Sequence, residues 1–169
     1  MMAWRVAYCK VFYPLAYYCA YFSIRADAFD YEKMAMGRER LEYYLDIYKA
    51  KKADGTIEKT ELDEYKDMRI VQEMYARGYE FTPIDIYKAK ARSFQIIDGK
   101  IMPSFKVVSK IGESAGESIE IAARGGKFLS KDDLRQRAKI GQTVIDKLSE
   151  LKLLDGMAES NQLSLFDVL

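Results

Sequence analysis

The chain has 169 residues, which suits one compact domain or two small ones, and 49% of them are hydrophobic, enough to fill a core. Its 27 basic and 26 acidic residues nearly cancel, so no global charge draws it to nucleic acid or to a membrane. It has no His and only two cysteines, Cys9 and Cys19, which excludes a His/Cys zinc site and reads as two buried free thiols.

The first residues do not make a signal peptide, because Arg5, Lys10 and Pro14 interrupt the apolar run. Residues 11–24 are apolar and aromatic but short of the ~20 needed to span a bilayer, so they read as core. Pro14 divides this stretch into a helix ending near Phe12 and another starting at Pro14. In the second, Leu15, Cys19 and Phe22 share one face, and Tyr17, Tyr18 and Tyr21 crowd the rest of the surface. A helix apolar on most sides expects neighbours on most sides, and here those neighbours are expected upstream of the chain.

A further helix is expected over residues 31–52, with Met34, Leu41, Leu45 and Tyr48 at core spacing and Ala53-Asp54-Gly55 ending it. Thr60-Glu61-Leu62-Asp63 reads as a capping box opening the next helix. That helix buries Val71, Met74 and Tyr75, and Gly78 is its expected C-terminal cap. Residues 81–87 and 93–102 read as short strands, with Asp98-Gly99 as a hairpin turn. The expected class is therefore mainly α with a small β element (α+β).

After Pro103, Ile111-Gly112-Glu113-Ser114 is a tight turn leading into a helix with Ala115, Ile119 and Ala122 on one face. Gly125-Gly126 ends that helix, and Ser130-Lys131-Asp132-Asp133 caps another carrying Leu134 and Ala138. Ile140-Gly141-Gln142-Thr143 then repeats the turn and opens a last helix with Val144, Leu148 and Leu151. A hydrophobic-Gly turn between helices marks a helix-hairpin-helix. The glycine is expected to supply a positive φ and close approach, and the helix that follows offers free N–H groups and a positive dipole end to a phosphate. Such contacts position a protein on DNA without reading bases. The same turn also serves as a plain connector between helices. Lys110, Lys139, Arg135 and Arg137 favour phosphate, whereas Glu113, Glu117 and Glu120 oppose it. Ser114 and Thr143 stand where a second glycine is expected.

The chain closes on Gln162, Leu163, Ser164, Leu165 and Phe166, followed by Asp167-Val168-Leu169. An extended peptide of this kind inserts Leu and Phe into apolar pockets, each worth roughly 1.5–3 kcal/mol when buried. The alternative is that these side chains fold back on the protein's own surface.

Several stretches together carry a family resemblance: AYCKVFYPLAYYCAYFSIR, EMYARGYEF, DIYKAKARSF, GESAGESI, GGKFLSKDDLRQR and NQLSLF. In this order, over nearly the whole chain, they resemble the C-terminal segment of the replicative DNA polymerase III alpha subunit of the PolC type. The resemblance implies an end-of-fingers part with the small β element at 1–102. It implies tandem helix-hairpin-helix (SAM-like) helices at 103–155 and an extended tail at 156–169. It implies that Lys110, Ile111, Gly112, Glu113, Ser114, Lys139, Ile140, Gly141, Gln142 and Thr143 approach the backbone of duplex DNA. Gln162, Leu163, Ser164, Leu165 and Phe166 would dock on the β sliding clamp. Nothing in the chain matches the palm aspartates that bind Mg2+ for phosphoryl transfer, so a non-catalytic, cofactor-free segment is expected. Its partners would be duplex DNA, the clamp and the rest of the polymerase, in a cytoplasmic, nucleoid-associated replisome and not at a membrane. A stand-alone clamp- or DNA-binding adaptor is the alternative; an enzyme in its own right ranks last, for want of any His or Gly-rich phosphate loop.

Overall fold

The computed structural model describes residues 2–160. Helices α1 (Met2–Phe12) and α2 (Pro14–Ile24) meet at Tyr13, where Pro14 forces the break. The buried face of α2 is only partly the expected one. Tyr18 and Phe22 are fully buried, Leu15 and Cys19 only half-buried, and Cys9 is exposed. Tyr18 tolerates burial because its hydroxyl donates to Glu73 (2.8 Å) and accepts from Arg77 (3.1 Å). Desolvation pushes its pKa up to about 12.

The helix expected over 31–52 is two, α3 (Tyr31–Met34) and α4 (Arg38–Ala53), divided at Gly37 with φ +108. Met34, Leu41, Leu45 and Tyr48 are all buried as expected, because the break leaves each facing the core. Helix α5 (Lys59–Ala76) starts earlier than the expected Thr60–Asp63 box. The Glu58 N–H donates to the Glu61 carboxylate (3.2 Å), while Asp63 is drawn to Lys66 (2.8 Å). At its far end Gly78 adopts φ +84, and the Gly78 and Tyr79 N–H groups donate to the Tyr75 and Met74 carbonyls, a Schellman closure.

Strands β1 (Gln95–Ile97) and β2 (Lys100–Met102) form an antiparallel hairpin with Ile96 opposite Ile101. Asp98 (φ +50) and Gly99 (φ +75) turn it, as two positive φ angles in a two-residue loop require. Residues 81–87 are not a strand. Phe81 makes one parallel bridge to Ile101, through Thr82 N–H to Ile101 O and Ile101 N–H to Glu80 O, and the next donor the ladder needs is residue 103, a proline with no N–H to give. Three helices follow: α6 (Glu113–Arg124), α7 (Lys131–Ala138) and α8 (Gln142–Glu150). The Ser130 hydroxyl caps α7 by accepting from the Asp133 N–H at 3.1 Å, as its position in the sequence predicts.

One cluster of buried side chains runs from Tyr18 to Leu154. At its centre Phe29 packs edge-on against Phe22 (5.2 Å), Phe94 (5.1 Å) and Phe81 (5.5 Å). Polar ties fasten α1 and α2 to α5. Lys10 pairs with Glu73 (2.8 Å), and Tyr21 and Arg25 donate to the buried Asp67 carboxylate (3.0 and 3.2 Å).

Helix α6 reaches this core through Gly116. A Cβ there would lie 2.9 Å from the Phe105 Cβ and 3.5 Å from the Ala91 Cα. Gly112, in contrast, has no atom within 4 Å of such a position. Gly116→Val is expected to lose roughly 2 kcal/mol through overpacking, and Gly112→Ala under about 1 kcal/mol; urea unfolding of the two variants measures the difference.

Candidate nucleic-acid interface

The sequence repeat is a repeat of geometry. Lys110 and Lys139 both adopt left-handed backbone, φ +66 and +52. Ile111 and Ile140 follow, 4% and 8% exposed. Gly112 and Gly141 then act as N-caps of α6 and α8 with nearly equal angles, φ −68 and −74, ψ 162 and 160. The positive φ thus falls on the lysine and not, as expected, on the glycine. The glycines instead give clearance: nothing lies within 4 Å of a Cβ at either. Ile111 and Ile140 are anchors that pin each turn to the core, so they offer a ligand no side chain.

Beyond each glycine the helix geometry leaves N–H groups without an internal acceptor, those of Glu113 and Ser114 in α6 and of Gln142 and Thr143 in α8. The first internal partners come later, with Gly116 N–H to Gly112 O and Val144 N–H to Gly141 O. Ser114 and Thr143 are exposed, as are Lys110 and Lys139, and among the described residues neither lysine forms an ion pair. The turns differ in what leads into them. The second is preceded by α7, and the first only by the short 3-10 turn Phe105–Val107.

Charges close to the turns do not act as their sequence positions suggest. Arg137 donates to the Ala122, Gly126 and Lys127 carbonyls (2.8, 3.2 and 3.1 Å) and lies 4.6 Å from the Phe128 ring centroid. It closes the C-terminal end of α6 and is not a free phosphate donor. Arg135 pairs with Asp132 (3.6 Å) and donates to Gln142 (3.2 Å), whose amide in turn donates to Asp146 (2.9 Å). The Gln142 side chain is thereby engaged within the α7–α8 pair, leaving its N–H at the helix end. The acids that seemed to oppose phosphate are engaged too. Arg92 meets Glu113 and Glu117, each at 2.7 Å, and Glu120 accepts from the Ala91 N–H (2.9 Å) and Arg124 (2.7 Å).

A buried ion pair fixes this module to the rest of the protein. Lys147, on α8, is 6% exposed and contacts Glu32 of α3 at 2.5 Å and Glu150 at 3.2 Å. Glu32 also accepts from the Ser109 hydroxyl (3.2 Å), so it ties the first turn and the last helix together. The hydrogen bond from Lys147 holds the Glu32 carboxyl below the usual range. No local signal marks this pair, whose members are far apart in the chain.

Of two concave surfaces, the first was not anticipated and the second falls on the helix expected to want further neighbours. A cleft of about 690 Å3 lies between residues 82–88 and 152–157, with Asp85, Tyr87, Lys127 and Lys152 on its walls. An apolar groove of about 510 Å3 runs along α1 and α2, lined by Val6, Cys9, Tyr13, Tyr17, Tyr21 and Ile24. Among the described residues no helix is long and apolar enough to cross a membrane. Gln162, Leu163, Ser164, Leu165 and Phe166 lie outside the described residues.

A carboxyl with a depressed folded pKa adds stability above its unfolded value, and that contribution is lost as pH falls through the folded value. Wild type should therefore lose more stability than Glu32→Gln between pH 7 and pH 3.5 in urea unfolding. At pH 7 the variant should be about 1–3 kcal/mol less stable, because it leaves buried Lys147 poorly paired.

Comparison with known proteins bears on the whole chain. The sequence model of the helix-hairpin-helix motif matches residues 78–163. The chain is 41% identical over 169 residues to "DNA polymerase III PolC-type" of Streptococcus pneumoniae serotype 2 (strain D39 / NCTC 7466), covering 100% of the chain and 12% of that protein. The protein of the same name from Streptococcus suis (strain 98HAH33) is 43% identical over 167 residues, 99% of the chain and 11% of the relative. That from Streptococcus sanguinis (strain SK36) is 40% identical over 167 residues, with the same coverage. The chain thus spans about an eighth of these relatives and is similar to one segment of each.

Proposed function

The chain belongs to the helix-hairpin-helix family, and on that premise we propose that it is the non-catalytic, DNA-gripping segment of a PolC-type replicative polymerase. The observation that carries this reading is the pair of matching Lys-Ile-Gly turns, each opening a helix whose first N–H groups stand bare beside an exposed lysine. Two such ends suit two phosphates of a duplex backbone, because bare N–H groups and a helix dipole favour an anion of any sequence context. Residues 103–155 are the DNA-binding part in this reading.

Gln162, Leu163, Ser164, Leu165 and Phe166 dock on the β sliding clamp. A weak DNA grip and a weak peptide then suffice, since a tether makes rebinding intramolecular and raises avidity by roughly 10²–10⁴. The rest of the polymerase is the partner that covers the apolar groove of α1 and α2. Phosphoryl transfer and its Mg2+ belong to a palm outside this segment, as the resemblance implies, so no residue here is assigned to catalysis. The setting is the cytoplasmic replisome.

Binding to duplexes of unrelated sequence should be equal within error and should fall steeply with salt. Lys110→Asn and Lys139→Asn remove the charge while suiting left-handed backbone. Each is expected to flatten the slope of log affinity against log salt by about 0.9 per lost phosphate contact. A clear sequence preference, or unchanged slopes, contradicts the reading. For the tail, calorimetry against a β clamp should give micromolar binding, near −8 kcal/mol, that disappears in Phe166→Ala.

A further inference from the structure

We propose that Arg92 is a positioning residue for the first turn: it draws Glu113 and Glu117 away from the N-terminus of α6 and so makes that end available to a DNA phosphate. The inference rests on the DNA-binding reading given above.

The two turns match residue for residue, Lys110-Ile111-Gly112 with Lys139-Ile140-Gly141, but the next position differs. It is the neutral Gln142 in the second turn and the acidic Glu113 in the first. A carboxylate at the first position of a helix is itself an anion suited to the dipole, and it competes with an incoming phosphate and repels it. The structure answers this acid only where it occurs. The Arg92 guanidinium lies 2.7 Å from Glu113 and also holds Glu117 through Nε (3.0 Å) and Nη2 (2.7 Å). Lys106, 3.7 Å from Glu113, adds a second positive charge.

Arg92 is held in place by the backbone. Phe105 and Lys106 N–H groups donate to the Lys90 and Ala91 carbonyls (3.0 Å each). The Ala91 N–H donates to Glu120 one turn further along α6. The bare Gly116 admits this strip of chain against the helix. One loop thus meets Glu113, Glu117 and Glu120, which lie along a single face of α6.

The test is a double-mutant cycle on duplex DNA affinity at low salt, using a random-sequence duplex and the full chain. Arg92→Gln is expected to weaken binding roughly three- to tenfold, the range of a coupled exposed pair. Glu113→Gln/Glu117→Gln should bind more tightly than wild type, and adding Arg92→Gln to it should cost less than about twofold. Arg92→Lys should restore most of the affinity lost in Arg92→Gln. Melting temperatures should agree across the set, since exposed ion pairs contribute little to stability. An equal loss from Arg92→Gln in both backgrounds means that Arg92 touches phosphate itself and overturns the proposal. So does the absence of any loss while wild type binds. Should wild type show no salt-dependent binding, the DNA reading falls, and this inference with it.

Discussion

The crossing of the chain at residues 90–92 over α6 is the constraint on which the rest of the molecule depends. Here two backbone strips, 90–91 and 105–106, hydrogen-bond to each other and lie against the one position of α6 that has no side chain. That contact closes the distance between the aromatic core around Phe22, Phe29, Phe81 and Phe94 and the C-terminal helices. It also delivers Ala91 and Arg92 to the acidic face of α6. A bulkier residue at Gly116 would push the helix off the loop and move the first turn relative to the second, because close-packed interiors transmit such displacements.

The second fastening joins α8 to α3. Lys147 is almost wholly buried, yet its charge is met by Glu32 and Glu150. Glu32 reaches both α8 and Ser109, beside the left-handed Lys110. A lysine in left-handed backbone is unfavourable by itself and persists only where its surroundings hold it. Here the buried isoleucine after each lysine and the helix after each glycine do so. The two helix ends are therefore set by the core, and the lysines beside them are left to solvent. An interface that binds backbone phosphates needs this arrangement, since its geometry must be fixed while its charges stay hydrated and exposed until contact.

The surface of α1 and α2 has the reverse character. Along α1 and α2 the surface is apolar and aromatic, with Trp4, Tyr8, Phe12 and Ile24 all exposed. A contiguous apolar face of this kind marks a place where another surface packs. Beneath it, Asp67 and Glu73 pin the helices to α5, so the face is presented by a stable support. The protein thus presents an apolar surface and a cationic pair of turns from one core.

Local chemistry was legible from the sequence. Pro14 split the first two helices, Gly78 ended α5, Asp98-Gly99 turned the hairpin and Ser130 capped α7, because each of these depends on residues within a few positions of one another. The class, mainly α with a small β element, followed from the same signals, and so did the repeated turns. What the sequence misplaced were events with a distant partner. Tyr18 was placed off the main buried face of its helix until Glu73 and Arg77 gave its hydroxyl a place in the core. Residues 81–87 had the alternation of a strand but no donor to pair with beyond the bridge at Phe81, since Pro103 stands where the next N–H is needed. Arg137 looked like a phosphate donor and instead closes a helix end, and Glu113 and Glu117 looked like obstacles until Arg92 was brought against them. Turns, caps and breaks are decided by backbone geometry over a few residues, which the sequence states directly. The working charge of a side chain is decided by which residue the fold sets beside it, and only the tertiary structure holds that.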